Sequence, residues 1–158
     1  RSIMQGNSTS LIGSITGQNN GFNWSPTTNM LQQNSLTPLV SPFNSTTYTL
    51  TAYGQNGCTA TMDTVQVRVF VSIAPPNSFS PNGDGIHDSW LVPGLETYPY
   101  SELSIFNRAG QIMYQAKPYI DGWDGKYKGK DVPGGVYYYI INRGNGEALL
   151  SGSIYLIK

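Results

Sequence analysis

The chain has one cysteine, Cys58, so no disulfide can form within it. It has one histidine, His87, and so lacks the imidazole pairs that zinc sites draw on. Charge is scarce as well. Nine Lys and Arg stand against nine Asp and Glu, 11% of the residues, where ordinary soluble domains carry ~25%. Zero net charge and scattered lysines give no concentrated basic face, which argues against a nucleic-acid partner. The longest apolar-looking run, 65–74, is interrupted by Gln66, Arg68 and Ser72, and is too short and too alternating to span a membrane. Helical periodicity is missing beyond one turn at 30–36, and no glycine-rich phosphate loop precedes a helix. Cys58 has no neighbour that would lower its thiol pKa, so it is expected as a small buried core residue. Arg1 is not an initiator and no charged-then-apolar leader follows it. A fragment or processed chain is therefore expected, with any signal peptide upstream.

Gly, Asn, Ser and Thr fill the space that charge leaves, and they suit strands and turns. Period-two alternation marks half-buried strands at Tyr48-Leu50-Ala52 and at Val65-Val67-Val69-Val71. Asn20-Gly21 and Asn56-Gly57 are turn signals. Pro75-Pro76 is a stiff, extended break, because each proline fixes φ and biases the residue before it away from helix. Two small domains are expected, residues 1–74 and 75–158, each near the size where core burial only just offsets chain entropy. In the second, strands are expected over 102–108, 111–116, 136–142 and 148–157, with turns at Ala109-Gly110 and Gly144-Asn145-Gly146. Leu103 and Ile105 face inward. Tyr138 shares one strand face with Val136 and Ile140, and Tyr137 and Tyr139 share the other with Ile141, so both faces are apolar or aromatic. The fold class is all-β: two small immunoglobulin-like β-sandwich domains in tandem.

Two polar knots carry whatever chemistry the chain holds. In the first, with Ser80 at position one, Asn82 and Asp84 fall at three and five, Gly85 at six, the Ile86 carbonyl at seven and Asp88 at nine. That is the ligand spacing of a calcium loop. Ser80 is a poor first ligand, and Leu91 stands where a bidentate Glu would. The alternative is an Asx-rich turn in which Asn82, Asp84 and Asp88 bond their own backbone. In the second knot, Asp121-Gly-Trp-Asp124-Gly125-Lys126, turn chemistry with Trp123 closing one end of a core outweighs a carboxylate pair of glycosidase type. Lys126, Lys128 and Lys130 are expected to protect a sheet edge. No set of residues here makes a catalytic constellation, so an enzyme is not expected.

The motif Ser80-Pro-Asn-Gly-Asp-Gly-Ile-His-Asp-Ser-Trp90 resembles the opening of the gliding-motility-associated C-terminal domain family. Leu103–Gly110, Trp123-Asp-Gly125, Pro133–Tyr139 and Gly152–Lys158 resemble its later motifs, in order and to the last residue. Ala109 stands where that family usually has Trp, and His87 where it usually has Asn. Trp24-Ser-Pro26, Ser41-Pro42, Thr46–Leu50 and Gly57-Cys58 resemble PKD/immunoglobulin-like repeats of bacterial surface proteins, with Trp24 as the core tryptophan of a spacer. These resemblances imply a non-catalytic C-terminal sorting signal of type IX secretion. It would carry a large surface adhesin, of gliding motility or otherwise, across the outer membrane to the cell surface. The implied partner is an outer-membrane protein of the SprF/PorP type, and no cofactor is required. The terminal segment Ser153, Ile154, Tyr155, Leu156, Ile157 and Lys158 is expected to present an edge strand to that partner. The rival is a calcium-stabilised carbohydrate-binding adhesin module gripping glycan with Trp90, Trp123 and the tyrosines.

Overall fold

A computed structural model describes residues 1–17, 19–54 and 60–158. Cys58 and the expected Asn56-Gly57 turn lie outside the described residues. The chain divides into two compact units, Arg1–Ser72 and Ile73–Lys158, so the break falls just before Pro75-Pro76. Both are built from strands, and the molecule is a tandem of β-sandwich domains.

The first unit holds β1 (Ser2–Met4), β2 (Thr9–Ser10), β3 (Asn19–Ser25), β4 (Met30–Leu31), β5 (Leu39–Val40), β6 (Thr46–Gly54) and β7 (Thr61–Phe70). One sheet has the order β1-β7-β6-β3 and the other β2-β5-β4. Alternation decides which side chains go in. Tyr48 and Leu50 of β6 and Val67 and Val69 of β7 are buried, while Thr47, Gln66 and Arg68 face out. Trp24 of β3 packs with Leu11, Met30, Val40, Tyr48, Leu50 and Val67, and its indole N–H donates to the Ser35 carbonyl at 3.1 Å. A buried indole with its one donor satisfied is a core tryptophan. Asn20-Gly21 is not the expected turn. It lies inside β3 where the register shifts between Asn19 and Gly21, and Gly21 takes φ 140, so the glycine serves a bulge.

The second unit holds β8 (Ser78–Phe79), a single 3-10 turn (Leu95–Thr97), β9 (Glu102–Phe106), β10 (Ile112–Ala116), β11 (Lys126–Tyr127), β12 (Lys130–Asp131), β13 (Gly135–Asn142) and β14 (Leu150–Leu156). Its main sheet has the order β10-β9-β13-β14-β8. The two units share a plan. In each, the first strand lies parallel to the last, the last is antiparallel to the one before it, and that strand is antiparallel to an earlier one. The second layer of the second unit is mostly irregular chain. It contributes Trp90, Val92, Leu95, Tyr98, Tyr119, Trp123 and Val132 to the core, against Leu103, Ile105, Tyr137, Ile141, Ile154 and Leu156 from the sheet.

Candidate functional site

The loop after β8 is closed by its own hydrogen bonds. Ser80 N–H donates to the His87 carbonyl at 3.0 Å, which brings the ends together. Inside, the Asp88 carboxylate accepts from Gly83 N–H at 2.6 Å and Gly85 N–H at 2.8 Å. Asp84 accepts from Ile86 N–H at 2.7 Å and from the Asn82 amide at 2.9 Å, and Asn82 Oδ1 accepts from Asp84 N–H at 3.1 Å. Each of the four carboxylate oxygens thus takes a hydrogen bond from the loop itself. That is the bonding of an Asx-rich turn. Hydrogen bonds from Gly83 and then Gly85 hold the Asp88 carboxyl below the usual carboxylate range, because they favour its charged form. Gly83, Gly85 and His87 all take positive φ, which lets successive amides turn toward one carboxylate. Of the five expected calcium ligands, Asn82, Asp84 and Asp88 are drawn together by these bonds. Ser80 takes part through its amide, and Ile86 through its amide rather than its carbonyl. Among the described residues, no group of three or more His, Cys, Asp or Glu side chains gathers as a metal site.

The second knot is a turn of the same chemistry. Asp124 accepts from Lys126 N–H at 3.0 Å, and Val132 N–H donates to the Gly125 carbonyl at 3.0 Å. Lys126 pairs with Asp124, and Lys158 with Asp131, so two lysines of this region are partnered on the surface. Lys128 and Gly129 both take positive φ and make the tight turn of the β11–β12 hairpin.

The two knots meet through tryptophan. Trp90 and Trp123 form an antiparallel bridge, with Trp90 N–H donating to the Trp123 carbonyl at 2.8 Å. Their indole N–H groups donate to the Pro76 and Lys126 carbonyls. Both tryptophans are 0% exposed. Trp123 packs edge-on to Tyr137 and tilts against Phe79, and Trp90 packs against Tyr139. Neither ring has a face for a sugar, so the glycan-gripping role expected of Trp90 and Trp123 does not hold. A stacking platform needs an open π-face, and here the core takes both.

The terminal strand also departs from expectation. Ile154 and Leu156 are buried core residues, and Ser153, Tyr155, Ile157 and Lys158 are exposed. Beyond β13, the end of β14 is bonded on its other side: Tyr155 N–H donates to the Asn77 carbonyl and Ile157 N–H to the Phe79 carbonyl. At residues 155 and 156 the strand is therefore paired on both sides and presents no edge there. The sheet ends instead at β8 and β10.

What the main sheet leaves open is a face. The register sets Phe106 beside Tyr138 and Tyr138 beside Ser153, with Ser104, Ile140 and Ser151 in the adjacent row. Tyr138 is 47% exposed and Ile140 39%. A shallow groove of about 580 Å³ lies over these rows, with Arg108 at its rim. The alternation Val136-Tyr138-Ile140 marked this face in the sequence; the place of Arg108 had no such signal, because a turn carries it there.

A family model for the CHU_C type IX secretion signal domain matches residues 73–156. No curated protein matches this chain closely enough to count as a relative. Among solved structures, the D00-D0 domain of intimin aligns at a TM-score of 0.46 and 10% identity, over 99% of this chain and 95% of that one. Extracellular domains 3–5 of Drosophila OTK align at a TM-score of 0.34 and 12% identity, over 99% of this chain and 58% of that one.

Proposed function

The chain belongs to the CHU_C family of type IX secretion signal domains, and on that premise we propose that residues 73–158 act as a folded address. The type IX machinery recognises this domain and exports whatever is joined to it. One observation carries the proposal: the family match covers residues 73–156, and the same stretch is a compact unit with its own core. A signal of this kind sends its cargo to the cell surface or beyond. No catalytic step and no cofactor is required.

Within the proposal, residues 1–72 serve as a PKD/immunoglobulin-like spacer, and the cargo is a large surface adhesin, one of gliding motility being the first to test. The receiving partner is an outer-membrane protein of the SprF/PorP type. The loop 80–88 is a self-bonded brace for the fold, with calcium not required.

The test is transfer. The chain is fused behind a fluorescent reporter with an ordinary signal peptide and followed in cells with and without a working type IX system. Reporter at the surface or in the medium only in the competent strain is the expected result. Reporter held in the periplasm of both strains would sink the proposal. Deleting the candidate SprF/PorP-type gene alone then asks whether that partner is the receiver.

A further inference from the structure

Part of the motifs is spent on the fold. Trp90, Trp123, Tyr137 and Leu156 are buried, and Tyr139 is packed against Trp90. Recognition must therefore use the motif side chains that stay exposed and their neighbours. The open face of the second unit's main sheet carries Phe106, Val136, Tyr138, Ile140 and Tyr155, with serines between them. Aromatic and β-branched side chains in contiguous, partly exposed rows mark an interaction surface. The groove on this face has one charged residue at its rim, Arg108. Its guanidinium makes no ion pair or hydrogen bond with the described residues.

We propose that this face is where the export partner docks, through an extended protein segment carrying one apolar side chain and one carboxylate. The apolar side chain lies on Phe106, Tyr138 and Ile140, and the carboxylate pairs with Arg108 in a forked contact. The Ser151 and Ser153 hydroxyls line the far side and meet main-chain groups of the segment. The choice of a carboxylate rests on charge complementarity, since Arg108 is the one charge at the groove and is free to pair bidentately. The inference rests on the sorting role proposed above.

The experiment uses the full 158-residue chain behind the same reporter in the competent strain. Tyr138→Ser with Ile140→Ser, and separately Arg108→Glu, should each lower surface reporter about tenfold, as loss of an interface anchor does. Arg108→Lys should keep more of the export than Arg108→Glu, because a point charge replaces a fork in one case and repels in the other. Ser153→Arg crowds the groove from an exposed position without touching the core and should also block export. Leu149→Ser, at an exposed loop position, should leave export unchanged. Melting of each purified variant confirms that the unit is folded. If the double variant fails to fold, Ser153→Arg and Arg108→Glu decide. Full export of folded Ser153→Arg and Arg108→Glu overturns the inference while leaving the sorting role standing. A purified chain that dimerises through Tyr138 overturns it too, in favour of a second copy as occupant. An unexported wild type defeats the sorting role itself, which tells the two failures apart.

Discussion

At the scale of the residue, Asp88 decides the conformation of the loop that opens the family motif. Its two oxygens gather the amides of Gly83 and Gly85, and its carboxyl is held below the ordinary 3.8 by those bonds. A carboxyl with a lowered folded value stabilises the fold fully above its unfolded value. That contribution is lost as pH falls through the lower folded value. Asp88→Asn should therefore lower the melting temperature at neutral pH and flatten its fall below pH 3.8. Thermal unfolding of both proteins across acid pH checks this. Calcium and a chelator should leave the melting temperature unchanged. A calcium-dependent rise that vanishes in Asp84→Asn would instead assign the loop as a cation site. His87, which departs from the family pattern, acts here through its main chain: its carbonyl closes the loop at φ 54.

At the scale of the element, β13 and β14 set the faces of the main sheet. Gly152 lies opposite Tyr139, and a Cβ at Gly152 would meet the Tyr139 hydroxyl at 2.5 Å. Tyr139 is held in turn by Trp90, with ring centroids 5.0 Å apart. Gly152→Val should displace that ring and cost about 1–3 kcal/mol, the usual penalty of overpacking. Denaturant unfolding of the two proteins measures it. The hairpin loop after β13 is fixed similarly. Gly144 takes φ 69, and any Cβ there would run into the Tyr100 backbone, while Arg143 pairs with Glu147 and donates to the Ala148 carbonyl. These glycines read as turn or strand glycines in sequence. What they make room for is set by other segments, the Tyr100 backbone for Gly144 and the Tyr139 ring for Gly152.

At the scale of the whole molecule, the two units stand on separate cores, so damage should stay where it is made. Trp123→Ala removes a fully buried ring from the second unit and should cost about 3–5 kcal/mol there. The unfolding of the first unit, followed by amide hydrogen exchange in β6 and β7, should be unchanged. Tyrosines give the second unit an alkaline limit. Burial raises Tyr114, Tyr119 and Tyr137 above their ordinary 10.0, with desolvation the largest cause in each case. A group with a raised folded value stabilises fully below its unfolded value, and that support is lost as pH rises through the folded one. The second unit should thus lose stability above pH 10. Far-ultraviolet circular dichroism against pH follows the loss, and it should be smaller in Tyr119→Phe.

Strands, their inward residues and the break near Pro75 were legible because alternation and proline act within a few residues of chain. Tyr48, Leu50, Leu103 and Ile105 went inside as their period-two positions require. The turn chemistry of the two Asp-Gly knots was legible for the same reason, since the Asx side chains bond amides only two to five residues away. The tertiary structure decided the rest. Whether Trp90 and Trp123 were ligand platforms or core depended on a bridge between segments over thirty residues apart. Whether β14 was an edge depended on which strand lay beyond it, and β8 comes from the far end of the unit. The groove under Arg108 exists only because three strands and a turn bring Phe106, Tyr138 and Ser153 side by side. Sequence periodicity fixes which way a side chain points. Only long-range strand pairing fixes what it meets.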